Sequence, residues 1–374
     1  MSSGTDKHET LERATTVALP AAAEAAESWL SGAVAQADGG SPRARLLELV
    51  ARFAQARVLV VGDMVADQYI IATPSRISRE APVLVLDQRQ EFIVPGGATN
   101  PGVNARALGA RVFLAGVVGD DVPGQRLRAA LEQEGVDLRG VMTQPQRATN
   151  TKTRIVAGGT QIVQQQIVRV DRVDDAPPSA DCARAIIAYV RQLVPQVDGL
   201  IISDYDSGVI TPAIIEACLP LARAQGKIVV VDSHGDLTRF QGATALTPNE
   251  PEAAGSLGVR IADRASLEAA GRRLLEETRT QGVLITRGSE GMSLFQADQP
   301  PLHLPASNLT EVSDTTGAGD TVSATFTLAL IAGATMAEAA VLSTIAAGLV
   351  VRRLGCATTT HDEMAAAITE LVRA

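Results

Sequence analysis

Aromatic residues are scarce in this chain of 374 residues, with Phe, Tyr and Trp together making up 3%. A core without large rings must be filled by Ala, Val, Leu and Ile, and the chain is 46% hydrophobic. That filling suits parallel sheets sandwiched between helices. Cysteine is also scarce: Cys182, Cys218 and Cys356 show no paired spacing, which argues against a disulfide framework. With no signal-peptide pattern at the start, this points to a reducing cytoplasm. The four histidines show no metal-ligand spacing, which argues against a zinc site. No uninterrupted apolar run is long enough to span a membrane, because Glu24 and Glu27 break the Ala-rich stretch near the start. A net charge of −9 and the lack of a long basic run make nucleic acid and anionic membrane poor partners.

The pattern that remains is one of alternating units. Residues 1–42, rich in Ala and Ser, read as a disordered extension, and a single catalytic domain is expected over 43–374. Buried strands are expected at Val58–Val61, Val112–Val118, Leu200–Asp204, Ile228–Asp232 and Val283–Thr286. Helical periodicity falls at Arg43–Ala54, Pro123–Glu134, Ala183–Leu193, Ala213–Ala224 and Leu267–Glu276. Strand and helix in alternation imply an α/β fold with a doubly wound, mainly parallel sheet, whose ligands sit beyond the carboxyl ends of the strands. Two β-rich segments without helices, about 69–94 and 151–171, should form a small antiparallel flap over that end. A flap that excludes water suits a kinase, which must not hydrolyse its own nucleotide.

The chemistry concentrates in Asp314-Thr315-Thr316-Gly317-Ala318-Gly319-Asp320, which runs into an apolar segment. Small residues at a helix start let the amides of Gly317, Ala318 and Gly319 converge on an anion. A carboxylate beside them, Asp320, is placed to take a proton from a substrate hydroxyl, and phosphoryl transfer to an alcohol combines the two. The same tetrapeptide also begins ordinary helices with Asp as a cap. Gly96-Gly97 followed by Asn100 and Asn104 brings backbone and amide side chains to a sugar, or forms a plain turn and cap. Asp63 and Asp67 flank the end of the first strand, where carboxylates can accept sugar hydroxyls, although Asp63 could instead cap a turn. Arg76 and Arg79, with Lys152 and Arg154 on a neighbouring strand, could clamp a substrate phosphate. Cations on a flap edge also serve simply to discourage aggregation.

Taken together, the chain resembles a ribokinase-like (PfkB-type) sugar kinase from about Leu46 onward. The matching motifs are Val60-Val61-Gly62-Asp63 with Asp67, Ser75-Arg76-Ile77-Ser78-Arg79-Glu80-Ala81-Pro82-Val83 and Pro95-Gly96-Gly97-Ala98-Thr99-Asn100. Thr151-Lys152-Thr153-Arg154, Arg169-Val170-Asp171, Ser203-Asp204-Tyr205, Thr247-Pro248-Asn249 and the terminal Gly317-Ala318-Gly319-Asp320 complete the series. Within the family, the Ser-Arg-Ile-Ser run is most similar to kinases of D-glycero-β-D-manno-heptose 7-phosphate. The resemblance implies ATP and Mg²⁺ as cofactors, a sugar phosphate as substrate and a homodimer formed through the flap. It also implies Asp320 as the base and Asn249 with Glu252 ordering Mg²⁺ through water. Thr286, Gly288 and Gly291 would form a nucleotide loop, and Ala347 and Gly348 would line the adenine.

The family pattern is broken in places. Ser207 and His234 stand where such heptose kinases usually carry lysines, and Thr344 stands where an Asn is usual. No fused nucleotidyltransferase is expected within these residues. A kinase for another sugar and a non-catalytic sugar sensor are the alternatives. A dehydrogenase is disfavoured because no Gly-x-Gly-x-x-Gly follows the first strand.

Overall fold

The computed structural model describes residues 41–159, 162–307, 312–353 and 355–371. The extension expected over 1–42 therefore lies outside the described residues up to 40. Helix α1 (Pro42–Arg52) starts where Ser41 accepts from the Ala44 amide and Pro42 presets the backbone, and it buries Leu46, Leu49 and Val50.

The order that follows is β1 (Arg57–Gly62), β2 (Met64–Ile77), β3 (Leu84–Gly97), α2 (Thr99–Ala107), β4 (Arg111–Gly119), α3 (Val122–Gln133) and β5 (Asp137–Gln144). Next come β6 (Asn150–Gly159), β7 (Ile162–Arg172), α4 (Ala180–Leu193), β8 (Gly199–Asp204), α5 (Pro212–Ala224) and β9 (Ile228–Ser233). Then follow β10 (Ala245–Leu246), α6 (Glu250–Leu257), α7 (Arg264–Thr278), β11 (Gly282–Thr286), β12 (Met292–Gln296) and β13 (Leu302–Leu304). The described chain ends with α8 (Ala318–Ile331), α9 (Met336–Val350) and α10 (His361–Leu371).

The large sheet has nine strands in the order β13-β12-β11-β10-β9-β8-β1-β4-β5. It is parallel from β11 to β5, with β12 and β13 added antiparallel at one edge. The chain leaves β1 toward β4 on one side and later returns to β8 on the other, so the strand order reverses beside β1. In open α/β sheets that reversal opens a crevice at the carboxyl ends, where ligands bind. Both faces are covered. One core packs Phe53, Leu114 and Phe326. The other packs Phe113, Phe240 and Phe295. Each buried ring contributes about 1.5–3 kcal/mol of transfer free energy.

The small sheet has the order β3-β2-β6-β7. Its two hairpins are antiparallel, while the central β2–β6 pair runs parallel. The flap strands reach further into the body than their alternation suggests. β2 begins at Met64 rather than near Tyr69, because Met64, Val65 and Ala66 are buried on both faces and read as core. Ile77, Val83 and Leu84 at the outer end and Ile167 and Val170 along β7 are exposed. Among the described residues no helix is long and apolar enough to cross a membrane.

Candidate active site

Most helices in the protein start on a side-chain cap, such as Asp121 before α3, Thr211 before α5 and Asp263 before α7. Among the described helices, two with no side-chain cap are α2, which follows Ala98, and α8, which follows Gly317. Both uncapped ends meet at the crevice. Among the described residues no acceptor is paired with the amides of Gly317, Gly319 or Asp320, whereas Ala318 donates to the Thr315 carbonyl at 3.2 Å. The donors turned to the cavity are thus Gly317, Gly319 and Asp320, and the Ala318 amide closes the turn. Gly317 cannot be replaced without strain. Its φ is +79°, and a Cβ there would lie 2.6 Å from Asn100 Nδ2.

Asp320 sits in the first turn of α8 and is buried. Its Oδ2 accepts from Asn100 Nδ2 at 2.7 Å, and its Oδ1 accepts from the Tyr205 hydroxyl at 2.9 Å. Burial pushes its pKa up to about 7, against the pull of those two donors. A carboxylate poised there is half ionised near neutrality, which suits a general base. Asn104 does not face the cavity. It donates to the Asn100 carbonyl and Oδ1, both at 3.0 Å, and accepts from Thr321 at 2.8 Å, so it fixes Asn100.

Asp67 enters the same cavity from β2. Arg154 Nη1 lies 2.7 Å from its Oδ1, and the Cys356 thiol donates to Oδ2 at 3.2 Å. A Cβ on Gly96 would lie 2.6 Å from Asp67 Oδ2, so this glycine makes room for the carboxylate. Gly97 (φ +54°) lets the chain turn from the flap into α2. Asp63 is placed differently. Its carboxylate accepts from the amides of Tyr205 (2.8 Å), Ser207 (3.3 Å) and Val209 (3.0 Å), pinning the loop after β8. Burial raises its pKa to about 6. Of the two strand-end carboxylates, Asp67 faces the cavity and Asp63 holds the frame.

The cavity has a volume of about 830 Å³. The register of the flap puts Lys152, Arg154 and Arg169 on its roof: Lys152 pairs with Asp67 across β2–β6, and Arg154 with Arg169 across β6–β7. Arg76 and Arg79 are instead exposed at the flap's far tip and do not line the cavity. β2 rises by about 3.3 Å per residue, so Arg76 stands roughly 30 Å along the strand from Asp67.

The opposite wall carries Asn249, Glu252, Thr286, Gly288, Gly291, Thr344, Ala347 and Gly348. Asn249 and Glu252 form a reciprocal cap on α6, with bonds of 2.9 and 2.8 Å, and also border the cavity. His234 Nε2 lies 3.4 Å from Glu252 Oε1. Ser207 takes no part in the cavity lining. Asp232 lies in the wall, held well above the usual carboxylate range by burial and by Glu252, Asp320 and Asp204. Among the described residues no group of three or more His, Cys, Asp or Glu is placed to hold a metal ion by itself.

The pH behaviour follows from Asp320. A carboxylate serves as a base only when ionised and that of Asp320 is raised to about 7, so with Asp320 as the base kcat/KM is expected to fall as pH drops through that value. A pH–rate profile checks this, and a profile flat from pH 8 to 5.5 would exclude Asp320 as the titrating group.

Sequence reasoning gave Tyr205 and Arg169 no role in the site, although both stand in its motifs; only the tertiary fold brings them to the cavity.

Comparison with known proteins identifies the family and the fold. Residues 55–363 match the model of the pfkB family of carbohydrate kinases. The chain is 44% identical over 316 residues to the Bifunctional protein HldE of Geobacter metallireducens, covering 83% of this chain and 63% of the relative. It is 42% identical over 323 residues to the Bifunctional protein HldE of Caulobacter vibrioides, covering 86% of this chain and 65% of the relative. The chain thus spans somewhat under two thirds of the length of these relatives. Phosphofructokinase-2 from Escherichia coli superposes with a TM-score of 0.67 at 18% identity, covering 84% of this chain and 99% of that one. Arabidopsis thaliana ribokinase, solved with ribose and ATP, gives 0.63 at 20% identity, covering 85% and 99%. With the family model spanning most of its length and the fold shared with sugar kinases, the chain belongs to the pfkB family and is a carbohydrate kinase.

Proposed function

We propose that this kinase transfers the γ-phosphoryl group of ATP to the anomeric hydroxyl of D-glycero-β-D-manno-heptose 7-phosphate, giving the 1,7-bisphosphate. The observation that carries the reading is the pairing of a base with a cationic roof: Asp320 below, and Lys152, Arg154 and Arg169 above, in one cavity. Arg154 pairs with Asp67 and Arg169 with Asp171, yet a roof so rich in cations suits a sugar already carrying a phosphate better than a neutral one. Heptose is favoured among sugar phosphates by the resemblance of the Ser75–Val83 run.

The residues present fit both cofactors. The amides of Gly317, Gly319 and Asp320 have no acceptor among the described residues. A Cβ at Gly288 or Gly319 would meet nothing within 4 Å, which leaves room for a nucleotide's backbone-hugging phosphates. Asn249, Thr286, Gly291, Ala347 and Gly348 would flank the nucleotide. Glu252 and Asp232 would hold Mg²⁺ through water, as suits a hard cation that dehydrates reluctantly. When bound, the nucleotide supplies the phosphoryl group and the cation neutralises its charge.

This chain's own residues do the rest. Asp67 accepts from sugar hydroxyls, Asn100 orients Asp320, Asp320 takes the proton from the attacking hydroxyl, and the free amides at α8 stabilise the equatorial oxygens. The enzyme is proposed to work in the cytoplasm as a homodimer clasped through the exposed apolar flap. A Mg²⁺-dependent ATP-consumption assay over heptose 7-phosphate, sedoheptulose 7-phosphate, fructose 6-phosphate and ribose tests the reading. Turnover of the heptose phosphate is expected. Turnover confined to ribose would overturn the sugar-phosphate assignment.

A further inference from the structure

Tyr205 stands where three parts of the cavity meet. Its hydroxyl lies 2.9 Å from Asp320 Oδ1 and 3.1 Å from Oδ2. The Lys152 ammonium of the flap sits over its ring, 4.9 Å from the centroid. The ring also meets His234, centroid to centroid 4.3 Å, and His234 reaches Glu252 on the opposite wall. The backbone amide of Tyr205 donates to buried Asp63 at 2.8 Å, so the loop that carries the ring is pinned.

We propose that Tyr205 is a positioning residue of the kinase reaction: its hydroxyl aims Asp320, and its ring seats the flap through Lys152. The proposal rests on the sugar-kinase reading above and names a residue that reading does not use.

Several groups face Asp320. Asn100 on α2 and Tyr205 on the loop after β8 donate to its oxygens. Asp67 and Lys152 act on it from the flap, Asp232 couples to it from β9 and Cys356 from the segment before α10, and burial acts from all sides. Burial and Asp67 favour the protonated acid, whereas Asn100, Tyr205 and Lys152 favour the carboxylate. Asn100 is locked by Asn104, which bonds both its carbonyl and its Oδ1. The Tyr205 hydroxyl is the donor that can turn, and it lies nearly equidistant from both oxygens. It can therefore stay on one oxygen while the other accepts the substrate proton. Tyr205 itself is held well above its ordinary value by burial and by Asp320, so it remains a phenol and a donor through the working pH range. The ring adds a second link. A flap lysine resting on an aromatic face is held by the ring's quadrupole. The same aromatic residue therefore contacts both the base and the roof that closes over the sugar.

Two variants separate the two roles. Tyr205→Phe keeps the ring and removes the hydroxyl. It is expected to lower kcat at least about tenfold and to move the acid limb of the pH profile up by about one unit, since a hydrogen bond to the ionised form is lost. The KM values for sugar and ATP should stay within about twofold, because no contact made only in binding is removed. Tyr205→Leu removes the ring as well, and should in addition raise the KM of the phosphorylated sugar while sparing that of ATP.

The titration is also read without substrate, from the carboxyl stretch of Asp320 in infrared difference spectra, assigned by its absence in Asp320→Asn. An Asp320 titration that shifts upward in Tyr205→Phe supports the proposal even if the sugar proves to be a different one. An unchanged titration and acid limb in Tyr205→Phe, whatever happens to kcat, would overturn it and leave Tyr205 a packing residue.

Discussion

Asp320→Asn is expected to lower kcat by about 10²- to 10⁴-fold, the usual contribution of a positioned general base. Nucleotide binding should survive, because the amides of Gly317 and Gly319 belong to the backbone and do not depend on the side chain. The amide is nearly the same size as the acid, but it cannot accept the proton of a sugar hydroxyl. Retention of even a tenth of wild-type kcat would remove Asp320 from the role. Pre-steady-state phosphoryl transfer, measured beside nucleotide affinity by calorimetry, separates lost chemistry from lost binding.

The second large effect concerns stability. Arg154→Ala leaves Asp67 buried without its guanidinium partner, which sits 2.7 Å away with both side chains almost wholly inaccessible. Breaking one side of such a pair typically costs about 3–5 kcal/mol, because an uncompensated charge remains in low dielectric. The pair spans β6 and β2, so the loss should appear as a loosened flap as well as a lower Tm. Adding Asp67→Asn should recover part of the stability by removing the stranded charge, although sugar affinity would not return. Denaturant unfolding of the single and double variants checks this. A loss under about 1 kcal/mol for Arg154→Ala would mean that the pair is effectively hydrated, as surface pairs are.

The parallel sheet was legible in the sequence because strands buried on both faces are continuous apolar runs. Val58–Val61 and Ile228–Asp232 could hardly be anything else once helical periods flanked them. α8 and α9 were harder. Both are apolar nearly all round, since they are buried among other helices and the sheet, so no amphipathic period marks them. β10 is two residues long and carries no pattern of its own.

In the site, Asp320, Lys152 and Arg154 line one cavity and Asn100 bonds Asp320, because motif order in a doubly wound fold translates into position at the strand ends. Asp63 and Asp67 illustrate the limit. Four residues apart at the same strand end, they divide into a frame residue and a cavity residue according to which way the chain turns after β1. Arg76 and Arg79 show the same limit at greater range. The motif that carries them is an exposed flap tip, and only the length of β2 reveals how far that tip stands from the cavity. Tyr205 approaches Asp320 across 115 positions of sequence, a proximity that neither residue's local pattern announces.

The measurement that bears most directly on the central claim is phosphorus NMR of the product formed from D-glycero-β-D-manno-heptose 7-phosphate, ATP and Mg²⁺, run beside Asp320→Asn. The account predicts a second sugar phosphate signal coupled to the anomeric proton, with the original 7-phosphate intact, and no such signal with the variant. A product phosphorylated only when the starting sugar carries no phosphate, or an anomeric signal that persists undiminished in Asp320→Asn, would contradict it.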